Sequence, residues 1–266
     1  MSDLAEALLD LQRLTRRLRS ECPWDREQTL LTIVPHTVEE AYEVADAACA
    51  DDREKLVDEL GDLLFQVYFL SLLLEEHEAG DLATVARAIS AKLVRRHPHV
   101  FGTEDEIDSA GEVLHRWEEI KRSQEGREGI FHEIGEGLPS TLYARKAQRR
   151  AAAIGFDYPT VDEALADLEQ EIHELREAIA QAPPARPERE ADVHVAHELG
   201  DVLFSCVNVG RLAGADAELV LRQAAMRFRG RVETAASLAV ADGKVFSDLP
   251  LSEQDSYFDR AKEKTR

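Results

Sequence analysis

Glu39-Glu40-Ala41-Tyr42-Glu43, followed by Asp58-Glu59-Leu60-Gly61-Asp62, is the stretch whose reading decides the fold. Both acidic groups sit inside apolar runs. Val34, Val38, Tyr42 and Val44 surround the first, and Leu60, Leu63, Leu64, Phe65 and Val67 accompany the second. Residues three or four apart share one face of a helix. Glu40 and Glu43 therefore project together, as do Glu59 and Asp62, and Glu39 joins them through its spacing to Glu43. The interval between Glu43 and Glu59 is enough to end one helix, turn at Asp51-Asp52 and begin an antiparallel partner. Four or five carboxylates then face one another between two helices. Unpaired carboxylates about 5 Å apart repel by about 3 kcal/mol per pair at an effective dielectric of about 20. A hard cation relieves that repulsion, and an oxygen-only cluster suits Mg²⁺, with Mn²⁺ as a substitute.

A single E-x-x-E reads as ordinary solvated helix surface. Here the whole pattern occurs twice. Glu171 and Glu174 repeat Glu40 and Glu43, and Glu198-Leu199-Gly200-Asp201 repeats Glu59-Leu60-Gly61-Asp62. Arg227 and Arg231 repeat Lys92 and Arg96; Phe258 and Lys262 repeat Trp117 and Lys121; Phe156-Asp157 echoes Trp24-Asp25. The interval between copies drifts, with an insertion in Ala182-Pro183-Pro184-Ala185-Arg186-Pro187, a stretch too rich in proline to be helix. Drift confined to loops is the mark of a duplicated helical domain. One position differs: Gln170 stands where Glu39 stands in the first copy.

The rest of the chain agrees with an all-α protein. Of its 266 residues 32% are charged and only 6% aromatic, which disfavours a sandwich or barrel. A formal net charge of −21 argues against a nucleic-acid backbone or an anionic membrane as partner. Cys22, Cys49 and Cys206 are scattered and odd in number, as for free thiols in a reducing compartment. With no signal-peptide order at the start and no apolar run long enough to span a bilayer, a cytoplasmic protein is expected.

Leu4, Leu8, Leu11, Leu14 and Leu18 predict an amphipathic first helix, ended by Cys22-Pro23-Trp24-Asp25, which is expected to make a turn. Thr37 is expected to cap the next helix, with Glu40 completing a capping box. The helix after Gly61 is apolar almost all round, so it demands burial on every side and predicts a subunit or domain interface. Helices follow from about Leu82 to Arg96, stopped by His97-Pro98-His99, and from Gly111 to Ser123. The expected division is a first helical domain over 1–123, a linker over 124–138, and a second helical domain over 139–266.

The repeated order resembles the MazG family of nucleoside triphosphate pyrophosphohydrolases over nearly the whole chain. The strings that carry the likeness are Cys22-Pro23-Trp24-Asp25, Val38-Glu39-Glu40-Ala41-Tyr42-Glu43, Glu59-Leu60-Gly61-Asp62-Leu63-Leu64-Phe65-Gln66-Val67 and Arg95-Arg96-His97-Pro98-His99-Val100-Phe101. The resemblance implies tandem all-α bundles, a homodimer, Mg²⁺ dependence, and hydrolysis of NTPs or dNTPs to the monophosphate and pyrophosphate, a nucleotide-pool housekeeping role. It implies Glu40, Glu43, Glu59 and Asp62 as metal ligands, with Glu171, Glu174, Glu198 and Asp201 in those roles in the second copy. In such a site Glu39 or Glu43, and Glu174 in the second copy, are candidates to orient or deprotonate the attacking water. Lys92 and Arg96, and Arg227 and Arg231, can hold the departing pyrophosphate. Their other reading is as solvated cations at a helix C-terminus. Trp117 and Phe258 can stack on the base or simply pack. Gln170 can touch substrate but cannot act as a base, so the first copy is expected to contribute catalysis.

Other chemistries fit less well. His194-x-x-His197 lacks the order of a zinc helix and reads as solvated histidines, and a single Glu112-x-x-His115 is half of what a di-iron bundle needs. The alternative class is a non-catalytic helical module that binds nucleotides or proteins.

Overall fold

The structure, a computed structural model, describes residues 3–102, 113, 116, 117, 120, 129–131, 134, 135, 137–182 and 192–264. Eleven α-helices and one 3₁₀ turn make up its continuous elements, with no strand among the described residues. The chain falls into two compact units, Met1–Gly126 and Arg127–Arg266.

The first unit contains α1 (Asp3–Glu21), α2 (Pro23–Glu27), α3 (Leu30–Cys49), α4 (Arg53–Glu76), α5 (Leu82–Arg96) and α6 (Pro98–Phe101). The α3–α4 hairpin turns at Asp51, whose φ of 53° is tolerated by a short polar side chain. Asp52 then caps α4 by accepting from Lys55 N at 3.0 Å. The cap of α3 is Thr29 rather than Thr37. Thr29 Oγ1 accepts from Thr32 N, and Thr32 Oγ1 accepts from Thr29 N. Pro35 lies inside the helix, near enough to the start that few internal bonds precede it. Starting the helix early carries Ile33 into a core with Phe69 and Leu73, and Thr37 instead touches Gln66 Oε1 of α4 at 3.4 Å. Cys22-Pro23-Trp24-Asp25 is likewise more than a turn: Pro23 opens α2, where its missing N–H is harmless. Arg19 ties this corner down, donating to the Gln28 carbonyl at 3.0 Å and pairing with Glu76 of α4 at 2.8 Å.

The second unit contains α7 (Ser140–Ala152), α8 (Val161–Gln181), α9 (Val193–Leu212), α10 (Ala217–Ala241), a 3₁₀ turn (Phe246–Asp248) and α11 (Leu251–Lys264). Thr160, Asp192 and Asp216 cap α8, α9 and α10. Helices α8 and α9 pack together as α3 and α4 do, and α7 lies against α9 and α10. Ala235, Ala239 and Ala261 let α10 and α11 approach closely around Tyr257. The insertion at 183–187, Glu112, His115, Lys121 and most of the expected 124–138 linker lie outside the described residues.

Helix α4 divides its apolar residues into two faces. Phe69 is 0% exposed and belongs to the core, whereas Leu60, Leu64 and Val67 are 48%, 38% and 38% exposed on the single chain. The side left open on the single chain is thus the Leu60–Leu64–Val67 side, not the Phe69 side. No described helix is long and apolar enough to cross a membrane.

Candidate active site

The antiparallel hairpins do what the carboxylate spacing requires. In the first unit Glu40, Glu59 and Asp62 each bring an oxygen to within 4.8 Å of the others. Glu43, one turn beyond Glu40, lies outside that triplet but its charge acts on it. Burial, and then Asp62, Glu43, Glu59 and Glu39, hold the Glu40 carboxyl above the ordinary carboxylate range. Glu59 is only 6% exposed, with Lys55 Nζ 3.4 Å from its Oε1. In the second unit Glu171, Glu174 and Glu198 form a triplet in which the repeat of Glu43 takes part instead of the repeat of Asp62, and His197, Glu198 and Asp201 form another that shares Glu198. Burial, and then Glu174, Asp201, Asp167 and Glu198, raise the Glu171 carboxyl in the same way. Like charges converging from two helices, which push the Glu40 and Glu171 carboxyls up, fit a hard divalent cation.

The histidines of α9 are exposed, as solvated histidines should be, yet they reach the cluster. His194 Nδ1 lies 3.2 Å from Glu198 Oε1, in the place Lys55 holds beside Glu59. His197 Nδ1 lies 3.0 Å from Asp201. Gln170 also has a role distinct from that of Glu39. Its Nε2 donates to Glu174 Oε1 at 2.9 Å and orients that carboxylate. Glu39 is exposed, with His36 Nδ1 at 3.7 Å.

The other sequence candidates are spread more widely. Lys92 is exposed and Arg96 half-buried on α5. Arg227 and Arg231 line an open groove of about 500 Å³ with Gly230, Thr234 and Ser237, and none of the carboxylate ligands lines it. Trp117 is half-buried, its ring 5.0 Å from that of His97. Phe258 packs on the Ala235–Ala261 core, with Phe228 5.7 Å away and Lys262 Nζ 5.0 Å from its ring. Its ring is already occupied by contacts within the unit.

Comparison with known proteins bears on this geometry. The MazG nucleotide pyrophosphohydrolase domain matches twice, at residues 28–101 and 160–234. The chain belongs to the MazG family. It is 36% identical to the nucleoside triphosphate pyrophosphohydrolase of Escherichia coli K12, over 98% of this chain and 98% of that protein. It is 35% identical to the nucleoside triphosphate pyrophosphohydrolase/pyrophosphatase MazG of Thermotoga maritima, over 95% and 94% of the two chains. It also matches an uncharacterized protein, YabN of Bacillus subtilis, at 31% identity over 95% of this chain and 51% of that protein.

Helix α7 lies outside both MazG matches, and it walls a feature the motif did not announce. A cavity of about 540 Å³ in the second unit is lined by Ala147 and Gln148 of α7, Phe156 and Tyr158, and Phe204 and Asn208 of α9, and extends to Glu171 and Asp201. Tyr158 Oη donates to Asp167 Oδ1 at 2.7 Å, and this bond, burial and the Asp167 charge push its pKa up to about 12. Ser205 Oγ donates to Asp167 Oδ2 at 3.0 Å. The only sequence signal for this wall is Phe156-Asp157, the echo of Trp24-Asp25. In the first MazG copy, Phe69 and Leu72 stand where Asn208 and Arg211 stand in the second when Glu59-Leu60-Gly61-Asp62 is aligned with its repeat. Phe69, fully buried, fills that side of the hairpin.

The raised carboxyls set a pH dependence with a definite sign. A carboxyl whose folded pKa is raised binds more protons folded than unfolded, so its contribution to stability falls as pH rises from the ordinary value through the raised one. Wild type and Glu171→Gln, melted in EDTA, should therefore diverge from about pH 4.3 upward, with the variant gaining relative to wild type. Saturating Mg²⁺ should stabilise wild type by about 2.7 kcal/mol at a hundred times its Kd, and matched NaCl should not. A variant that gains nothing in EDTA at neutral pH would remove the repulsion argument at that site.

Proposed function

We propose that the chain is a Mg²⁺-dependent nucleoside triphosphate pyrophosphohydrolase that converts NTPs or dNTPs to the monophosphate and pyrophosphate. The observation that carries this reading is the pair of carboxylate clusters, each with three oxygens within 4.8 Å. The relatives named as nucleoside triphosphate pyrophosphohydrolases, similar over almost the full chain, support it. Glu40, Glu43, Glu59 and Asp62 would hold the ion in the first unit, and Glu171, Glu174, Glu198 and Asp201 in the second. The ion supplies charge neutralisation at the phosphates.

The chain's own residues orient the reaction. Glu174, held by Gln170, is set to take a proton from water as its oxygen bonds to the α-phosphorus. The bond from that phosphorus to the bridging oxygen breaks, and pyrophosphate leaves with the electron pair. Arg227 and Arg231, or Lys92 and Arg96 in the first unit, then answer its charge. The test is hydrolysis in ¹⁸O-water with Mg²⁺. Label should enter the monophosphate, and EDTA should abolish turnover. Label confined to pyrophosphate, or release of orthophosphate with NDP, would overturn the assignment.

The open Leu60–Leu64–Val67 face supports a homodimer in which a second copy covers it. Leu64→Glu should leave a folded monomer in light scattering where wild type is a dimer; a wild-type monomer at micromolar concentration would sink the idea. A cytoplasmic enzyme of the nucleotide pool is the setting that fits these properties.

A further inference from the structure

Glu198 is 7% exposed, yet no donor hydrogen-bonds its carboxylate among the described residues. A carboxylate buried that far is costly without hydrogen bonds or a cation. Two imidazole nitrogens stand beside it instead, His194 Nδ1 at 3.2 Å and His197 Nδ1 at 3.6 Å from Oε1. His197 Nδ1 is also 3.0 Å from Asp201 Oδ2. Around one ion with bonds of about 2.1 Å, two ligand atoms lie about 3.0 Å apart at a right angle and about 3.4 Å apart at the tetrahedral angle. Ligand atoms of His197, Glu198 and Asp201, all within 4.8 Å of one another, suit that frame. The two copies differ at this spot. At the repeat positions of His194 and His197 the first unit has Lys55 and Asp58. Lys55 Nζ lies 3.4 Å from Glu59 Oε1, and an ammonium has donors but no lone pair to offer a metal. The first triplet, Glu40, Glu59 and Asp62, supplies oxygen alone. An imidazole nitrogen among carboxylate oxygens moves the preference from Mg²⁺ toward late first-row dications such as Zn²⁺.

We propose that the second unit carries a transition-metal site beside its Mg²⁺ position, with His197 Nδ1, Glu198 and Asp201 as ligands and a dication of the Zn²⁺ class as the ion. Glu198 and Asp201 have two oxygens each, so both can serve the two ions together. His194 stays outside the ligand set and stands against Glu198. The site belongs to the second unit alone, because no imidazole occupies these positions in the first. It goes beyond the pyrophosphohydrolase reading and holds whatever the reaction, since only metal binding is invoked.

The experiment dialyses the metal-free full chain against Zn²⁺, with Mg²⁺ saturating and no nucleotide, and reads the neighbours of the bound ion by X-ray absorption at the zinc edge. Imidazole scattering together with carboxylate oxygens is expected. His197→Gln should weaken Zn²⁺ binding by at least the about tenfold that loss of an outer partner of a metal costs, and should remove the imidazole signal. His197→Asp, which restores the first copy's residue, should bind Zn²⁺ through oxygen alone. His197 is exposed, so both variants should keep the helical circular dichroism of wild type. Both should also keep its rise in melting temperature with Mg²⁺. His173→Gln, which removes an exposed histidine of α8 lying 3.5 Å from Glu177, should change neither zinc affinity nor the imidazole signal. Zinc held by oxygen alone in wild type, or an imidazole signal that survives His197→Gln, overturns the proposal. So does loss of the Mg²⁺ response along with zinc in His197→Gln, which would make the two positions one.

Discussion

Glu174→Gln is expected to lower pyrophosphate release by about a hundredfold or more, the scale of losing one preorganised charge-stabilising group, while Glu43→Gln leaves most of the activity in place. Glu174 belongs to the triplet with Glu171 and Glu198, and its carboxylate is oriented by Gln170. That triplet adjoins a cavity open to a ligand. Glu43 lies beside the Glu40–Glu59–Asp62 triplet of the first unit, where Phe69 and Leu72 stand at the repeat positions of the cavity-lining Asn208 and Arg211. The sequence weighting favoured the first copy because Glu39 can act as a base and Gln170 cannot. We propose the opposite weighting. Glu39 is exposed, with His36 Nδ1 at 3.7 Å, whereas Gln170 donates to the Glu174 carboxylate and orders it. Each variant should be assayed on several NTPs, with its melting curve confirming the fold. Equal partial losses would mean that both units turn over substrate. A loss confined to Glu43→Gln would restore the first copy and make Glu39 the base.

The carboxylate hairpins were legible because helix periodicity is enough to place Glu40 beside Glu59 and Asp62, and repetition made the pattern stand out from ordinary charged surface. The twofold family match agrees with that repetition. The start of α3 was misread because Thr37-x-x-Glu40 has the form of a capping box. The competing pair Thr29 and Thr32 wins by bringing Ile33 into the core. The Cys22-Pro23-Trp24-Asp25 stretch was read as a turn, although proline at the first helical position starts α2. The cavity was not legible at all. Gln148 and Asn208 are polar residues on amphipathic helices far apart in sequence, and nothing in their spacing says that one faces the other. Phe69 was legible as apolar but not as inward. An all-round apolar helix does not reveal which side meets its own bundle and which side is left for a partner.

Phe69→Ala should cost the first unit about 3–5 kcal/mol, the usual range for truncating a buried aromatic. Phe69 is 0% exposed and packs with Ile33 and Leu73. Its ring lies 5.8 Å from that of Phe65, and the Arg19 guanidinium sits 5.9 Å from its centroid. Arg19 in turn pairs with Glu76, a bond that raises the arginine's pKa and lowers the carboxyl's. Removing the ring thus leaves a cavity and weakens the attachment of α1 to α4 together. Phe69→Glu should be worse, since it places a carboxylate inside that core, where the cation at its ring, Arg19, is already bound to Glu76. The open Leu60–Leu64–Val67 face, proposed above for a second copy, lies elsewhere on α4, so loss of Phe69 should unfold the chain before it dissociates. Circular dichroism and light scattering on the same melt decide this. Helix loss at a temperature where the particle is still dimeric fits the assignment. A folded, helical monomer of Phe69→Glu would put Phe69 at the subunit interface and refute it. Because the substitution lies outside the cavity beside Glu171 and Asp201, pyrophosphate release by Phe69→Ala should survive below its melting transition. Loss of activity in the fully folded variant would mean that the first unit is needed for turnover.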